Sequence, residues 1–517
     1  MRHFNHPQTN STIVEVAPFP SVKKIVSAVS VIMLNLSVPS VWADTATDAR
    51  ISQLQHMLEA QQQQMQMMAN ELKTLKEAAS KPVARTNPDI AADDKQLLRD
   101  QQVKIEAMSN EIKTLQTARG KSTGQPVYAN FKNGLSFEDG SGAWRLGING
   151  RVQADYRSFS PDVAAADTFN IRRARLGVNV GLKDFAARLE AEYSGSSLGL
   201  TYAHVDYIHF NGFKLRAGQF KPSYGLERSM NANFTDFQER GSTDYLLGAT
   251  FDRGIMAYGE PIPGLFYSAA WLNGKGFSTA KDTGDDANPK YDNKDALVRV
   301  VGNIAQFAGW EDSVVHVGGF YAKGEQEPGS NPTLTVQTEG RGAAVFSANA
   351  FDKAVDRSRQ GYELALARGP VKLQAEHITE RFDGNGFNRD LSAWYASVNW
   401  LVTGESFAST YKDGMFGRLR PKHEFTWGGD GWGALQLGAR YSKFDGHDFI
   451  TTNGTDPGTL ATNSSNEFDT WTLGANWILT PYVRLIANYV HTSFDMPVTT
   501  KAIRHEDAIT VRAQMDF

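Results

Sequence analysis

Between residues 221 and 253 the chain crowds charge: Lys221, Arg228, Arg240 and Arg253 stand beside Glu227, Asp236, Glu239 and Asp244, with Phe234 and Phe237 among them. Such a set suits ion recognition better than bond chemistry. Arginine offers a planar fork that matches phosphate, and lysine a compact point charge. At a pore constriction the sign of these charges selects the ion. Arg145, Arg151, Arg173, Arg175, Arg188 and Arg216 could extend the set into a cationic track. The competing reading is a solvated, charge-balanced wall with weak selectivity. Catalysis has little support. His204, His209, His316, His377, His423, His447 and His491 follow no metal-ligand spacing. The chain has no cysteine, which excludes disulfides and thiolate chemistry. No enzymatic activity, metal or cofactor is expected.

The elements that must position these charges are strands. In Trp144, Leu146, Ile148, Val152, Ala154 and Tyr156 the apolar residues alternate with Arg145, Asn149, Arg151, Gln153, Asp155 and Arg157. Strand residues point alternately to opposite faces. Later segments repeat the pattern: Ala174, Leu176 and Val178 against Arg173, Arg175 and Asn179; Trp471, Leu473, Ala475 and Trp477 against Thr472, Gly474 and Asn476. An aromatic-rich apolar face opposite a polar one fits lipid outside and water inside. The expected fold is all-β: a transmembrane antiparallel β-barrel of about sixteen strands over residues 144–517, wide enough for an aqueous channel.

Loop lengths support that fold. Short connections at Gly181–Asp184, Asn211-Gly212, Pro261–Gly264, Ala308–Asp312, Gly369-Pro370 and Thr480-Pro481 alternate with longer ones at Ser158–Thr168, Lys221–Asp252, Asn273–Asp295, Gly324–Ser358 and Asp445–Glu467. This is the pattern of short periplasmic turns and long outer loops, and every short turn is expected on the periplasmic side. Thr403–Gly433 breaks it, being long where a turn is due. The third outer loop, Lys221–Asp252, is the one placed to fold inward. The chain ends in Ile509–Phe517 with perfect alternation and a terminal phenylalanine. Such an ending resembles the signal read by the barrel-assembly machinery, making Phe517 its contact.

Ahead of the barrel, Lys23 and Lys24 precede an apolar run from Ile25 to Val38, and Val41-Trp42-Ala43 offers a cleavage site. Residues 1–43 are therefore expected to be a signal peptide. Residues 44–118 carry Ile51, Leu54, Leu58, Met65, Met68, Leu72 and Leu75, then Leu98, Ile105, Met108, Ile112 and Leu115, at a/d spacing. A narrow seam on a polar helix buries against a partner helix, so a periplasmic α-helical coiled coil that oligomerises the chain is expected. Residues 119–143 form a linker. A mean hydropathy of −0.40 and a net charge of −4 exclude a helical membrane protein and do not suggest a nucleic-acid partner.

The stretch Phe169-Asn170-Ile171-Arg172-Arg173-Ala174-Arg175-Leu176-Gly177-Val178 resembles the phosphate-selective porin O/P family. So do Gly218–Pro222, Tyr224–Glu227, Gln238–Arg240, Leu401–Glu405 and Gly433–Ser442. The resemblance implies a homotrimer of sixteen-stranded barrels in the bacterial outer membrane, passing small anions such as phosphate or polyphosphate. It implies that Arg172 and Arg173 line the route. Strand parity turns Arg172 outward unless a bulge shifts the register there. Together with the inward loop this sets the expected anion path at Arg172, Arg173, Lys221, Arg228 and Arg240. One departure stands out: Ser229–Phe234 carries no lysine where the phosphate-specific members have one. General anion preference is then expected over strict phosphate selectivity. The alternatives are a weakly selective general porin, or a trimeric tether whose coil reaches peptidoglycan.

Overall fold

A computed structural model describes residue 103 and residues 127–517, apart from 131–133, 162–163, 196–197, 275–293, 330–334 and 452–454. The signal peptide expected at 1–43 and the coiled coil expected at 44–118 lie outside the described residues, Val103 apart. Sixteen strands form the wall: β1 (Trp144–Ser160), β2 (Thr168–Leu182), β3 (Phe185–Glu192), β4 (Gly199–Phe210), β5 (Phe213–Phe220), β6 (Asp252–Ile262), β7 (Leu265–Leu272), β8 (Asp295–Asn303), β9 (Ser313–Gln326), β10 (Val355–Arg368), β11 (Val371–Gly384), β12 (Phe387–Leu401), β13 (Ala434–Asp445), β14 (Glu467–Thr480), β15 (Val483–Val498) and β16 (Ile503–Asp516). Each pairs antiparallel with the next, and β16 pairs with β1 from Asp507↔Ser160 to Asp516↔Arg151. The sheet is closed, so no barrel edge is left for lipid to meet. A further strand, Leu135–Asp139, in the segment expected as linker, pairs with the start of β1.

Alternation is kept around the wall. Val152, Leu176, Leu189, Val205, Leu215 and Ile255 are exposed on the outside, while Arg151, Gln153, Asp155 and Arg157 are buried inside. Outward aromatics ring the end remote from the termini, among them Phe169, Trp271, Tyr321, Tyr362, Trp394, Trp471 and Tyr489. Amphipathic rings suit the boundary between hydrocarbon and headgroups. The short turns expected at the terminal end are found there. Two equally short ones, however, lie at the far end: Asn385-Gly386 between β11 and β12, and residues 499–502 between β15 and β16. The expectation that every short turn is periplasmic is thereby corrected. The reason is local: Asn385 and Gly386 have φ of 53° and 88°, the backbone of a two-residue hairpin that Asn-Gly favours.

Three loops fill much of the lumen. Residues 221–251 form an inner loop with two short helical turns, Leu226–Ser229 and Ser242–Leu247. From the far end, the hairpin Thr335–Gln337 and Ala344–Ser347 packs Val345 and Phe346 against Phe444, Phe449 and Leu460. From the terminal end comes the long segment after β12. Phe407 and Phe416 reach Leu226 and Met230 of the inner loop inside the barrel. The Lys372 ammonium binds Asp236 at 2.7 Å and lies 4.4 Å from the Phe416 ring centre, joining this plug to the inner loop. The segment then turns outward. Phe425 N–H donates to the Leu479 carbonyl, and the outward Trp477 indole donates to the Trp432 carbonyl at 2.7 Å.

Candidate anion path

Backbone at membrane depth cannot leave its polar groups unpaired. The inner loop is irregular, so side chains of the wall supply what a helix would have. Gln153 donates to the Ala232 carbonyl, Gln514 to Asn233, Arg484 to Thr235, Asn476 to Asp236, Arg512 to Gln238 and Arg440 to Glu239, all within 3.3 Å. Gly438 and Gly474 oppose one another on β13 and β14, and the Phe237 ring fills the notch between them: a Cβ on Gly474 would meet that ring at 2.9 Å. The Glu376 carboxylate accepts the Leu226 and Glu227 amides at 2.6 and 2.9 Å, holding the first helical turn from its N-terminal end.

The register slips between Gln153 and Ala154, which pair with Arg173 and Ile171, leaving Arg172 as the bulged residue. Both arginines consequently enter the lumen, which removes the parity conflict at Arg172. Arg172 donates through Nε and Nη2 to Glu239 at 2.8 and 3.1 Å. The same carboxylate takes Arg157 and Arg512, both at 2.9 Å. Arg173 donates to the Gln153 side chain at 2.8 Å. Lys221, Arg228 and Arg240 gather on the first helical turn. Lys221 donates to the Ser229 and Met230 carbonyls at 2.9 and 2.8 Å. Arg240 shares the Met230 carbonyl at 3.0 Å and also donates to that of Glu227. Arg228 pairs with the Asp244 carboxylate and donates to the Gly248 carbonyl.

Other lumenal arginines are paired in the same manner: Arg175 with Glu192 at 2.6 Å, Arg188 with Glu190 at 2.6 Å, and Arg216 with Asp206 through two bonds of 2.7 and 2.8 Å. Among the described residues, the lumenal cations Arg173, Lys214, Lys221 and Arg484 have no carboxylate within the 4.0 Å of an ion pair. Sequence reasoning singled out neither Glu239 as the hub of three arginines nor Lys214. The Lys214 signal was present, since it alternates with Phe213, Leu215 and Ala217. No comparable signal marks Glu239, because its partners lie on β1, β2 and β16.

Next to the inner loop, toward the terminal end of β1–β7, is a cavity of about 620 Å³ whose lining includes Arg145, Arg188, Lys214, Arg216, Lys221 and Asp206. Asp413 and Met415 of the plug also border it. The arrangement can attract and pass anions. Among the described residues no group of three or more His, Asp or Glu could hold a metal ion.

The family model described as phosphate-selective porin O and P matches residues 146–517. Porin O of Pseudomonas aeruginosa is 24% identical over 429 residues, covering 76% of this chain and 93% of the relative. An uncharacterized protein of Caulobacter vibrioides is 25% identical over 395 residues, covering 71% and 72%. Among solved structures, the trimer form of OmpT from Vibrio cholerae has a TM-score of 0.44 at 11% identity, over 72% of this chain and 100% of that one. An anion-selective porin from Comamonas acidovorans has a TM-score of 0.43 at 13% identity, over the same shares.

Proposed function

The chain belongs to the phosphate-selective porin O and P family, and from that premise we propose a finer account of what its channel carries. It is an outer-membrane porin that passes anions. We assign it a weak to moderate anion preference, with phosphate among the ions carried but not strictly selected. The observation behind this is which of the five expected path cations lack a carboxylate partner among the described residues. Forks that could grip phosphate at Arg172 and Arg228 are engaged by Glu239 and Asp244. Arg173 and Lys221 keep uncompensated charge at the inner loop. In this account Arg173 and Lys221 act directly on the passing ion, while Arg172, Arg228 and Arg240 hold the loop and raise the local potential. Tight binding would block conduction, so weak contacts favour flux.

The channel reading involves no bond chemistry. Three copies assemble in this account, with the seam of residues 44–118 pairing in the periplasm after removal of residues 1–43 and the barrel at 144–517. The test is a reversal potential in planar bilayers under a KCl gradient. The wild type is expected on the chloride side. Arg173→Gln together with Lys221→Met should move it toward potassium, more at low salt, where screening is weaker. A wild-type potential on the potassium side would sink the anion reading. An unmoved potential in the intact double variant would remove these two residues from the path.

A further inference from the structure

The cavity beside the inner loop is unusual for a phosphate route because aromatic rings interrupt its cations. Tyr202 and Tyr258 both line it. The Arg188 guanidinium lies 4.0 Å from the Tyr202 ring centre, and Arg216 lies 4.9 Å from that of Tyr258. Both guanidiniums are also paired with carboxylates, Glu190 and Asp206. Their charge is spent locally, and what remains is flat, polarisable surface. Lys214, the cross-strand partner of Tyr258, sits 5.9 Å from its ring centre, with no carboxylate within 4.0 Å among the described residues. Lys214 therefore stands as an uncompensated ammonium beside an aromatic wall.

Inorganic phosphate has no apolar surface, so rings along its route add nothing to its passage. An organic anion with a flat ring gains from both features. The carboxylate meets the ammonium, and the ring packs on tyrosine in an offset or edge-on arrangement. The cavity volume falls in the range of small-molecule sites. We propose that this vestibule binds aromatic carboxylates, with Lys214 taking the carboxylate and Tyr258 and Tyr202 the ring. The proposal rests on the reading that the lumen conducts anions.

The experiment uses the full-length protein in planar bilayers carrying chloride current. The reversal potential is recorded first, so a failure of the anion reading shows before any organic anion is added. Benzoate, cyclohexanecarboxylate, acetate and phosphate are then titrated separately. Benzoate should half-block at a concentration lower than acetate by about threefold to tenfold, the range an aromatic contact contributes. Tyr258→Leu should collapse that benzoate-to-acetate ratio toward one. Lys214→Gln should raise the half-blocking concentrations of both carboxylates. Folding of each variant is checked by heat-modifiable migration. Equal block by benzoate and acetate, equal block by cyclohexanecarboxylate and benzoate, or an unchanged ratio in Tyr258→Leu would each overturn the proposal.

Discussion

Gly150 and Phe517 exchange both backbone hydrogen bonds, amide to carbonyl in each direction at 3.0 Å. The Phe517 ring then lies where a side chain on residue 150 would go: a Cβ there would sit 2.6 Å from the ring's Cζ. The last residue of the chain thus completes the seam between β16 and β1. Glycine at 150 makes room for it.

Deleting Phe517, or filling its seat with Gly150→Leu, should weaken the same seam. Overpacking a filled site costs about 1–3 kcal/mol. Both variants should yield less heat-modifiable protein in the outer membrane, and Gly150→Ala should fall between them and the wild type. Normal folded yield from Gly150→Leu would separate the ring's position from barrel closure.

Glu239 neutralises three arginines at the inner loop. Glu239→Gln keeps the shape and removes the charge, so the reversal potential in a KCl gradient should move further toward chloride. Arg172→Gln should move it in the opposite direction. Both shifts should shrink as salt rises toward 1 M, where the Debye length is about 3 Å. Equal potentials in the two variants would mean that this cluster does not face the ion path.

Lys372 joins the wall, the inner loop and the plug through Asp236, Phe407 and Phe416. Lys372→Met leaves Asp236 without its cation. Breaking a buried pair from one side costs about 3–5 kcal/mol. The expected outcome is a loosened plug, seen as noisier and larger single-channel conductance and faster protease cleavage within residues 402–433. The double change Lys372→Met with Asp236→Asn should recover part of the loss. A quiet, unaltered channel in the single variant would show that the plug is held without this pair.

Trp427 and Trp432 are 91% and 74% exposed on the stretch that folds back beside Trp477 on the outer wall. Indole rings favour the membrane interface. In bilayers of brominated lipid, the tryptophan quenching of the wild type should exceed that of a Trp427→Phe, Trp432→Phe variant. If removing both leaves the quenched fraction unchanged, these rings face water or protein instead.

Alternating residues on each strand point to opposite faces whatever their neighbours are, so Trp144–Arg157 declares a two-faced strand by itself. The closing strand was legible from Ile509 to Phe517 for the same reason, while its start at Ile503 came from the structure. The Asn385-Gly386 hairpin was equally open to local reading, since the two residues suit positive φ, yet the length rule for loops obscured it. The bulge at Arg172 could be posed as a question from parity, but its answer depends on which residue of β1 faces it.

What the sequence alone determined is therefore the barrel, its two faces, the inward loop and the stock of charges that loop brings. Backbone periodicity and burial act over a few residues and are written in order along the chain. Tertiary structure alone decided which of those charges stay free. Glu239 meets Arg157, Arg172 and Arg512 only because β1, β2 and β16 are neighbours at the seam, and Lys214 is left unpaired only because no carboxylate among the described residues comes within reach of it. Pairing falls off steeply with distance, and those distances are set by closure of the barrel around its loops.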